Sequence, residues 1–301
     1  MKENRPNISV IVCTFNRPEH LRDCADAILA SDYPHFELLV MDQSTDEKTR
    51  QVVETLGDPR ARYFHLDAPG KCRAMNAGVR ESVADIICFT DDDCIVTPAW
   101  ISRFVTEFDA DRELSAVYGQ TLPRFVGPKR VEFATYKSTR RRLYRGRRSP
   151  YRVGGAGGNM AYRRNALATV GPFDENLGPG ARFKAVEDNE YFYRTFCLGL
   201  KAAYVPTVVL YHKQLLNEST FAERHRDYRF GDGAFIAKYL LTGDWHPLYY
   251  YLSLELSRVF SAVTKLQLRY AKFVTKCVWL TTKGIYAYAT WHRTHQKRRT
   301  T

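Results

Sequence analysis

Three carboxylates in a row, Asp91, Asp92 and Asp93, close the stretch IICFTDDDCIV (86–96). Ionised carboxylates about 4 Å apart repel by roughly 4 kcal/mol per pair at an effective dielectric near 20. The triplet therefore calls for water at an exposed turn or for a bound cation. Hard oxygen donors two positions apart suit Mg2+ or Mn2+, which take one or two carboxylates and complete their shell with phosphate and water. Such an ion neutralises a diphosphate and makes it a better leaving group. A second acidic pair, Glu187-Asp188, precedes the apolar run of NEYFYRTFCLGL. Alone, it reads as first-turn acids facing a helix dipole, worth roughly 0.3–1 kcal/mol. His212 ends VVLYH, a position where a lone histidine is more often structural than a ligand.

These residues need elements to hold them. ISVIVC (8–13) is a continuous apolar, β-branched run, the pattern of a strand covered on both faces, and FELLVM (36–41) is the second strand. Between and after them come a helix following Pro18, with Leu21, Ala25, Ile28 and Leu29 on one face, and a helix over 46–56. ARYFHL, a helix over 70–83, the strand DIICFT, a helix opened by Thr97-Pro98 and the strand LSAVYGQ continue the rhythm. The alternation predicts a mostly parallel, twisted sheet with helices on both faces, an α/β fold. Ligands bind such sheets outside the carboxyl ends of the strands. The TFNR loop (14–17), Asp42 and the triplet all follow strands, so three strands deliver polar residues to one edge. Further on, EDNEYFYRTFCLGL (187–200) predicts an amphipathic helix, and KAAYVPTVVLYH predicts two short strands broken at Pro206.

The chain has 301 residues, enough for one large or two modest domains. Its 45% apolar and 26% charged residues exclude a disordered chain. Seven cysteines, odd in number and without a CxxC, exclude a disulfide framework or a zinc site. The opening MKENRPNISVIV lacks a signal peptide's apolar core. We expect a reduced, cytoplasmic protein. A formal charge of +12 points to an anionic partner: nucleic acid, a phosphate-bearing substrate or an acidic membrane surface. Much of that charge lies in KSTRRRLYRGRRSPYR (137–152) and in the C-terminal part. No proline or glycine interrupts 257–283. On one helix, Arg258, Lys265, Arg269, Lys272, Lys276 and Lys283 fall within about a 60° arc. With the aromatics of PLYYYL and Trp279, Tyr286, Tyr288 and Trp291, this predicts a helical segment (231–301) able to lie on the inner face of a membrane, beside a catalytic domain (1–230). No uncharged run approaches the roughly 18 residues a membrane span requires.

In order, the blocks VIVCTFNR, LLVMDQSTD, GKCRAMNAG, CFTDDDCIV, GGNMAYRRNAL, VEDNEYFYR and VPTVVLYH resemble the inverting family 2 glycosyltransferases, which have the GT-A fold. The resemblance runs over 7–212, and YRFGDGAFIAKYL extends it to about residue 240. It implies a transfer of sugar from a nucleotide-diphosphate donor, a UDP-sugar as the commonest case, to a hydroxyl of a saccharide or lipid-linked acceptor, in cell-surface polysaccharide or glycolipid synthesis. It implies a divalent metal, Mg2+ or Mn2+. Thr14, Asn16 and Arg17 then line the nucleotide pocket, Asp42 contacts the base or ribose, and Arg73 is the cation near the nucleotide. The DXD motif falls on the triplet, with Asp91 towards the ribose, Asp92 inside the motif and Asp93 on the metal. Asp188 matches the catalytic base with Glu187 supporting it, and His212 matches a position that helps hold metal or diphosphate. Gln43-Ser44 departs from the family's Asp-Gly or Asn-Gly after the first acid. A nucleic-acid-binding module would explain the arginine run but not acids at strand ends. A nucleotidyltransferase-like enzyme would share fold and metal but not the EDNEYFYR block. No nucleic-acid partner is expected.

Overall fold

The computed structural model describes residues 7–124, 131–132, 134–150, 157–213, 215–216, 218–264 and 268–297. The chain divides into two compact units, one of Met1–Glu175 with Glu187–Glu218, the other of Asn176–Val186 with Ser219–Thr301. The division falls at Ser219 rather than at residue 231, because one unbroken helix runs across 231.

The first unit carries β1 (Ile8–Thr14), α1 (Pro18–Leu29), β2 (Phe36–Asp42), α2 (Lys48–Leu56), β3 (Ala61–His65), α3 (Lys71–Glu81), β4 (Ile86–Asp91), β5 (Cys94–Val96), α4 (Trp100–Ala110) and β6 (Leu114–Pro123). It continues through β7 (Val131–Glu132), β8 (Arg142–Tyr144), β9 (Met160–Arg163), α5 (Arg164–Val170), α6 (Glu187–Cys197), β10 (Lys201–His212) and β11 (Leu215–Leu216). The main sheet has the order β3-β2-β1-β4-β9-β6-β10-β5, with β8 on β10 as well, and β7 pairs with β11 apart from it. The strands β3, β2, β1 and β4 are mutually parallel; β9 lies antiparallel between β4 and β6, and β10 runs parallel to β6.

The apolar runs become the centre of this sheet because alternate side chains feed two cores. Val10, Val12, Leu38 and Val40 pack with Trp100, Phe104 and Phe108 on the side of α1 and α4. Ile11, Leu39 and Met41 pack with Met75, Tyr162, Tyr191 and Phe196 on the side of α3 and α6. This is the two-residue period of a strand buried on both faces. Gly78 lets α3 close on β1, since a Cβ there would stand 2.7 Å from Ile11 Cγ2.

Two expectations change. KAAYVPTVVLYH is one strand, β10, whose pairing with β6 shifts between Val205 and Val209. Pro206 sits in that bulge, where the ladder asks for no N–H, so it interrupts the register without ending the strand. The helix over 187–200 stops at Cys197, and Gly199 takes a left-handed φ of 71°.

The second unit contains α7 (Glu218–Leu240), α8 (His246–Thr264) and α9 (Leu268–Lys297). The expected single basic helix over 257–283 is therefore divided between α8 and α9, and Lys265 lies outside the described residues. α7 and α9 cross at Gly233 and Gly284, each facing the other helix's backbone without room for a Cβ. Behind α8 lies an ionic cluster in which Arg229 pairs with Asp232 (3.3 Å) and Glu255 (3.5 Å), and Arg258 with Glu255 (2.6 Å). Among the described residues, no helix is long and apolar enough to cross a membrane.

Candidate active site

The parallel register of β1, β2 and β4 sets Thr14 beside Asp42 and Cys13 beside Asp91, so the strand ends deliver their polar residues abreast. Asp42 is fully buried. One of its oxygens accepts from the Ser44 N–H (2.9 Å) and the other from the Tyr63 hydroxyl (2.8 Å). Asn16 adopts a φ of 54°, a region asparagine tolerates. Its amide N–H donates to Ser44 Oγ (2.8 Å) and its Oδ1 accepts from the Thr45 N–H (2.9 Å). Gln43 donates to the carbonyls of Ala68 and Gly70. Gln43-Ser44 thus braces the loop after β2 with side-chain hydrogen bonds.

Asp92 and Asp93 are buried. Thr14 Oγ1 donates to Asp92 (2.8 Å), and Arg17 reaches Asp92 at 3.2 Å and Asp93 at 3.4 Å. Burial, joined by the neighbouring charge of Asp93, pushes the Asp92 carboxyl up to about 6. Burial also acts to raise Asp93, but His212, Arg17 and Lys71 outweigh it and hold that carboxyl below the usual range. The acidities of Asp92 and Asp93 are thus pushed in opposite directions.

Antiparallel pairing of β5 with β10 sets His212 opposite Cys94. Its Nε2 lies 3.4 Å from Asp93 Oδ1, while its buried Nδ1 has no hydrogen-bond partner. Ligand atoms of Asp93, Cys94 and His212 lie within 4.8 Å of one another. Burial raises the Cys94 thiol well above its ordinary value. One carboxylate and one imidazole with an orphaned nitrogen fit a hard or borderline divalent ion.

The residue missed by sequence reasoning is Lys71, the first of α3. Its Nζ, on a side chain 16% exposed, lies 2.6 Å from Asp91 Oδ1 and 3.6 Å from Glu187 Oε1, tying the end of β4 to the start of α6. Burial disfavours its charge, yet Asp91 and Glu187 outweigh that and keep the ammonium protonated. Burial likewise pushes the Glu187 carboxyl up, against the pull of Lys71. We place the firm ion pair at the shorter contact, Lys71–Asp91, and treat Glu187 as the weaker partner. Arg73, two residues on, turns instead to Glu175 (3.4 Å), with both side chains nearly half exposed. The signal was present in GKCRAMNAG, but a lysine is exposed by default and only tertiary packing shows otherwise.

Asp188 stands half-buried in the first turn of α6. Its Oδ1 accepts from the Asn189 N–H (2.7 Å) and its Oδ2 from the Gly157 N–H (3.2 Å). A Cβ on Gly157 would stand 3.0 Å from the Asp188 Cβ, and one on Gly158 would stand 2.7 Å from Asp91 Oδ2. The glycine pair thus fits between the two acidic groups where no side chain has room.

Thr14, Asn16, Arg17, Asp42, Asp91, Asp92, Asp93, Glu187, Asp188 and His212 are linked at the strand ends, and Arg73 is engaged with Glu175. The arginine run is elsewhere. Arg142 pairs with Tyr204 in register, eight residues along β10 from His212, or about 25 Å. Arg141 reaches Glu107 (2.9 Å) and Arg145 reaches Glu113 (3.7 Å) at that far end. Residues 151–152 lie outside the described part.

Residues 9–171, more than half of the chain, match the profile of Glycosyl transferase family 2. The chain belongs to that family. Over 179 residues it is 25% identical to the glucosyl-dolichyl phosphate glucuronosyltransferase of Haloferax volcanii, covering 57% of each chain. Over 106 residues it is 31% identical to the putative colanic acid biosynthesis glycosyl transferase WcaA of Escherichia coli, covering 34% of this chain and 38% of that one. The chain thus spans little more than half, or less, of these curated relatives. Among solved structures it resembles a Pyrobaculum calidifontis mannosyltransferase in complex with GDP-Man and Mn2+, with TM-score 0.62, 18% identity and coverage of 96% and 88%. It also resembles residues 1–349 of Staphylococcus aureus TarS in complex with UDP-GlcNAc, with TM-score 0.58, 17% identity and coverage of 94% and 83%. These likenesses are of fold. The family 2 chain has the GT-A architecture.

Proposed function

We propose that this family 2 enzyme transfers a sugar, with inversion, from a nucleotide-diphosphate donor of the UDP-sugar class to a hydroxyl of a saccharide or lipid-linked acceptor. The observation that carries the reading is the double contact of Lys71, which joins Asp91 of the triplet to Glu187 beside Asp188. It puts a group able to bind a donor diphosphate and a group able to take a proton in one centre.

Asp188 acts as the general base. The acceptor oxygen forms its bond to the anomeric carbon while its proton passes to an Asp188 oxygen. The bond from that carbon to the diphosphate oxygen breaks, and the electron pair leaves with the nucleotide diphosphate. Attack opposite the departing group gives one inversion. Base assistance of this kind contributes typically 10²–10⁴-fold. The hydrogen bonds from Gly157 and Asn189 fix the Asp188 carboxylate for that role, and the neighbouring Glu187 meets Lys71 at 3.6 Å. Asp93 and His212 would hold a divalent ion, Mg2+ or Mn2+, which would offset charge on the diphosphate. Arg17 adds a fixed positive charge on the same side. Thr14, Asn16 and Asp42 shape the nucleotide pocket. The seven free cysteines accord with a reducing, cytoplasmic setting.

Incubating the protein with nucleotide sugars and Mn2+, then following the anomeric proton of the product by NMR, tests this reading. It expects the anomeric configuration to be the opposite of the donor's. Retention would overturn the single displacement.

A further inference from the structure

We propose that the outer faces of α8 and α9 seat the protein on an anionic lipid bilayer surface. Surface helices of globular proteins turn apolar residues inward and charge outward. α8 does the reverse. Trp245, just before it, and Tyr249, Leu252 and Leu256 recur at intervals of four, three and four and so share one face. They are 66%, 70%, 47% and 68% exposed. The inward side carries Tyr251 and Glu255, each 4% exposed, with Glu255 bound to Arg229 and Arg258. Asp244, next to Trp245 in sequence, is engaged at the helix start, where its Oδ1 accepts from the His246 N–H (3.1 Å).

α9 supplies the charge. Val274, Cys277, Leu280, Thr281 and Tyr288 are buried on one side. Lys272, Lys276, Trp279, Lys283 and Tyr286 fall within an arc of about 80° on the other. The Lys283 ammonium lies 3.7 Å from the centre of the Trp279 ring. Lysine beside tryptophan and tyrosine suits the level of lipid headgroups, where an amphipathic ring has one wet end and one apolar end. From Arg258 to Thr301 the sequence has no aspartate or glutamate. Nothing on α9 can therefore receive a second set of lysines. A two-fold dimer, which applies one patch to itself, would set like charges together. A nucleic acid would meet the lysines but leave Leu252 and Leu256 without a fitting partner. An acidic headgroup layer over acyl chains satisfies both faces.

The test uses purified full chain and vesicles, with no donor sugar, so it stands apart from the transfer reaction. The protein should sediment with vesicles of phosphatidylcholine containing phosphatidylglycerol, and not with phosphatidylcholine alone. Lys272→Gln, Lys276→Gln and Lys283→Gln together should lower partitioning on the order of a hundredfold, about fivefold per lysine near an anionic surface. Leu252→Gln with Leu256→Gln should lower it roughly tenfold or more. Both variants change exposed positions, and circular dichroism should show their melting unchanged. In the unaltered protein, brominated lipids should quench tryptophan fluorescence, a readout that needs no variant. Absence of sedimentation and quenching would overturn the proposal. So would equal binding to neutral vesicles, binding indifferent to the two leucines, a dimer in sedimentation equilibrium that Leu252→Gln with Leu256→Gln dissociates, or an RNA gel shift without vesicle binding.

Discussion

At the scale of single residues, the site is a problem of placing charge, and Lys71 is its pivot. A buried ammonium is costly unless paired, and here it meets two carboxylates from different elements. Lys71→Met removes that partner and leaves Asp91 facing the rest of the triplet uncompensated. Because the Asp91 side chain is 29% exposed, the stability loss should be about 1–3 kcal/mol rather than that of a fully buried pair. Binding of UDP in the presence of Mn2+, read by calorimetry, should weaken at least about tenfold, since an added negative charge opposes a diphosphate. Arg73→Ala breaks only an exposed pair and should change that affinity by about twofold or less. The reverse order of effects would return the role to Arg73.

At the scale of elements, close approach and buried polarity set the tolerances. Gly78→Ala would push α3 off β1, a cost of about 1–3 kcal/mol for overpacking. That exceeds the roughly 1 kcal/mol that alanine gains in helix propensity. Urea denaturation should show a lower midpoint; a higher one would mean that Ile11 yields freely. In α7, His225 accepts from Arg229 Nε (3.3 Å). Burial first, then the charge of Arg229, lowers it from 6.5 to about 4. A histidine held neutral in the fold stabilises fully above its unfolded value, and that contribution is lost as pH falls from about 6.5 through 4. The melting temperature should therefore decline over this window more steeply in the unaltered protein than in His225→Gln. Parallel curves would contradict the assignment.

At the scale of the whole molecule, what was legible follows from burial on two faces. The runs at 8–13, 36–41 and 86–89 are dominated by apolar residues because the sheet covers both their sides, and so their polar ends stood out as a shared edge. The direction of β9 was not legible, since its four residues carry no mark of pairing direction. Pro206 read locally as a break, whereas a tertiary bulge absorbs it in β10. The C-terminal periodicity was legible but not its orientation. Tyr251 and Glu255 face inward only because Arg229, on another helix, neutralises the acid. The helix boundary between 264 and 268 had no glycine or proline to announce it.

The account depends on Asp188 taking the acceptor's proton at the centre that holds the donor. The most direct measurement compares Asp188→Asn with the unaltered enzyme for sugar transfer and, by calorimetry, for donor binding with Mn2+. The account predicts donor affinity within about twofold and transfer slower by 10²–10⁴. Transfer at close to the unaltered rate, with donor binding intact, would contradict it.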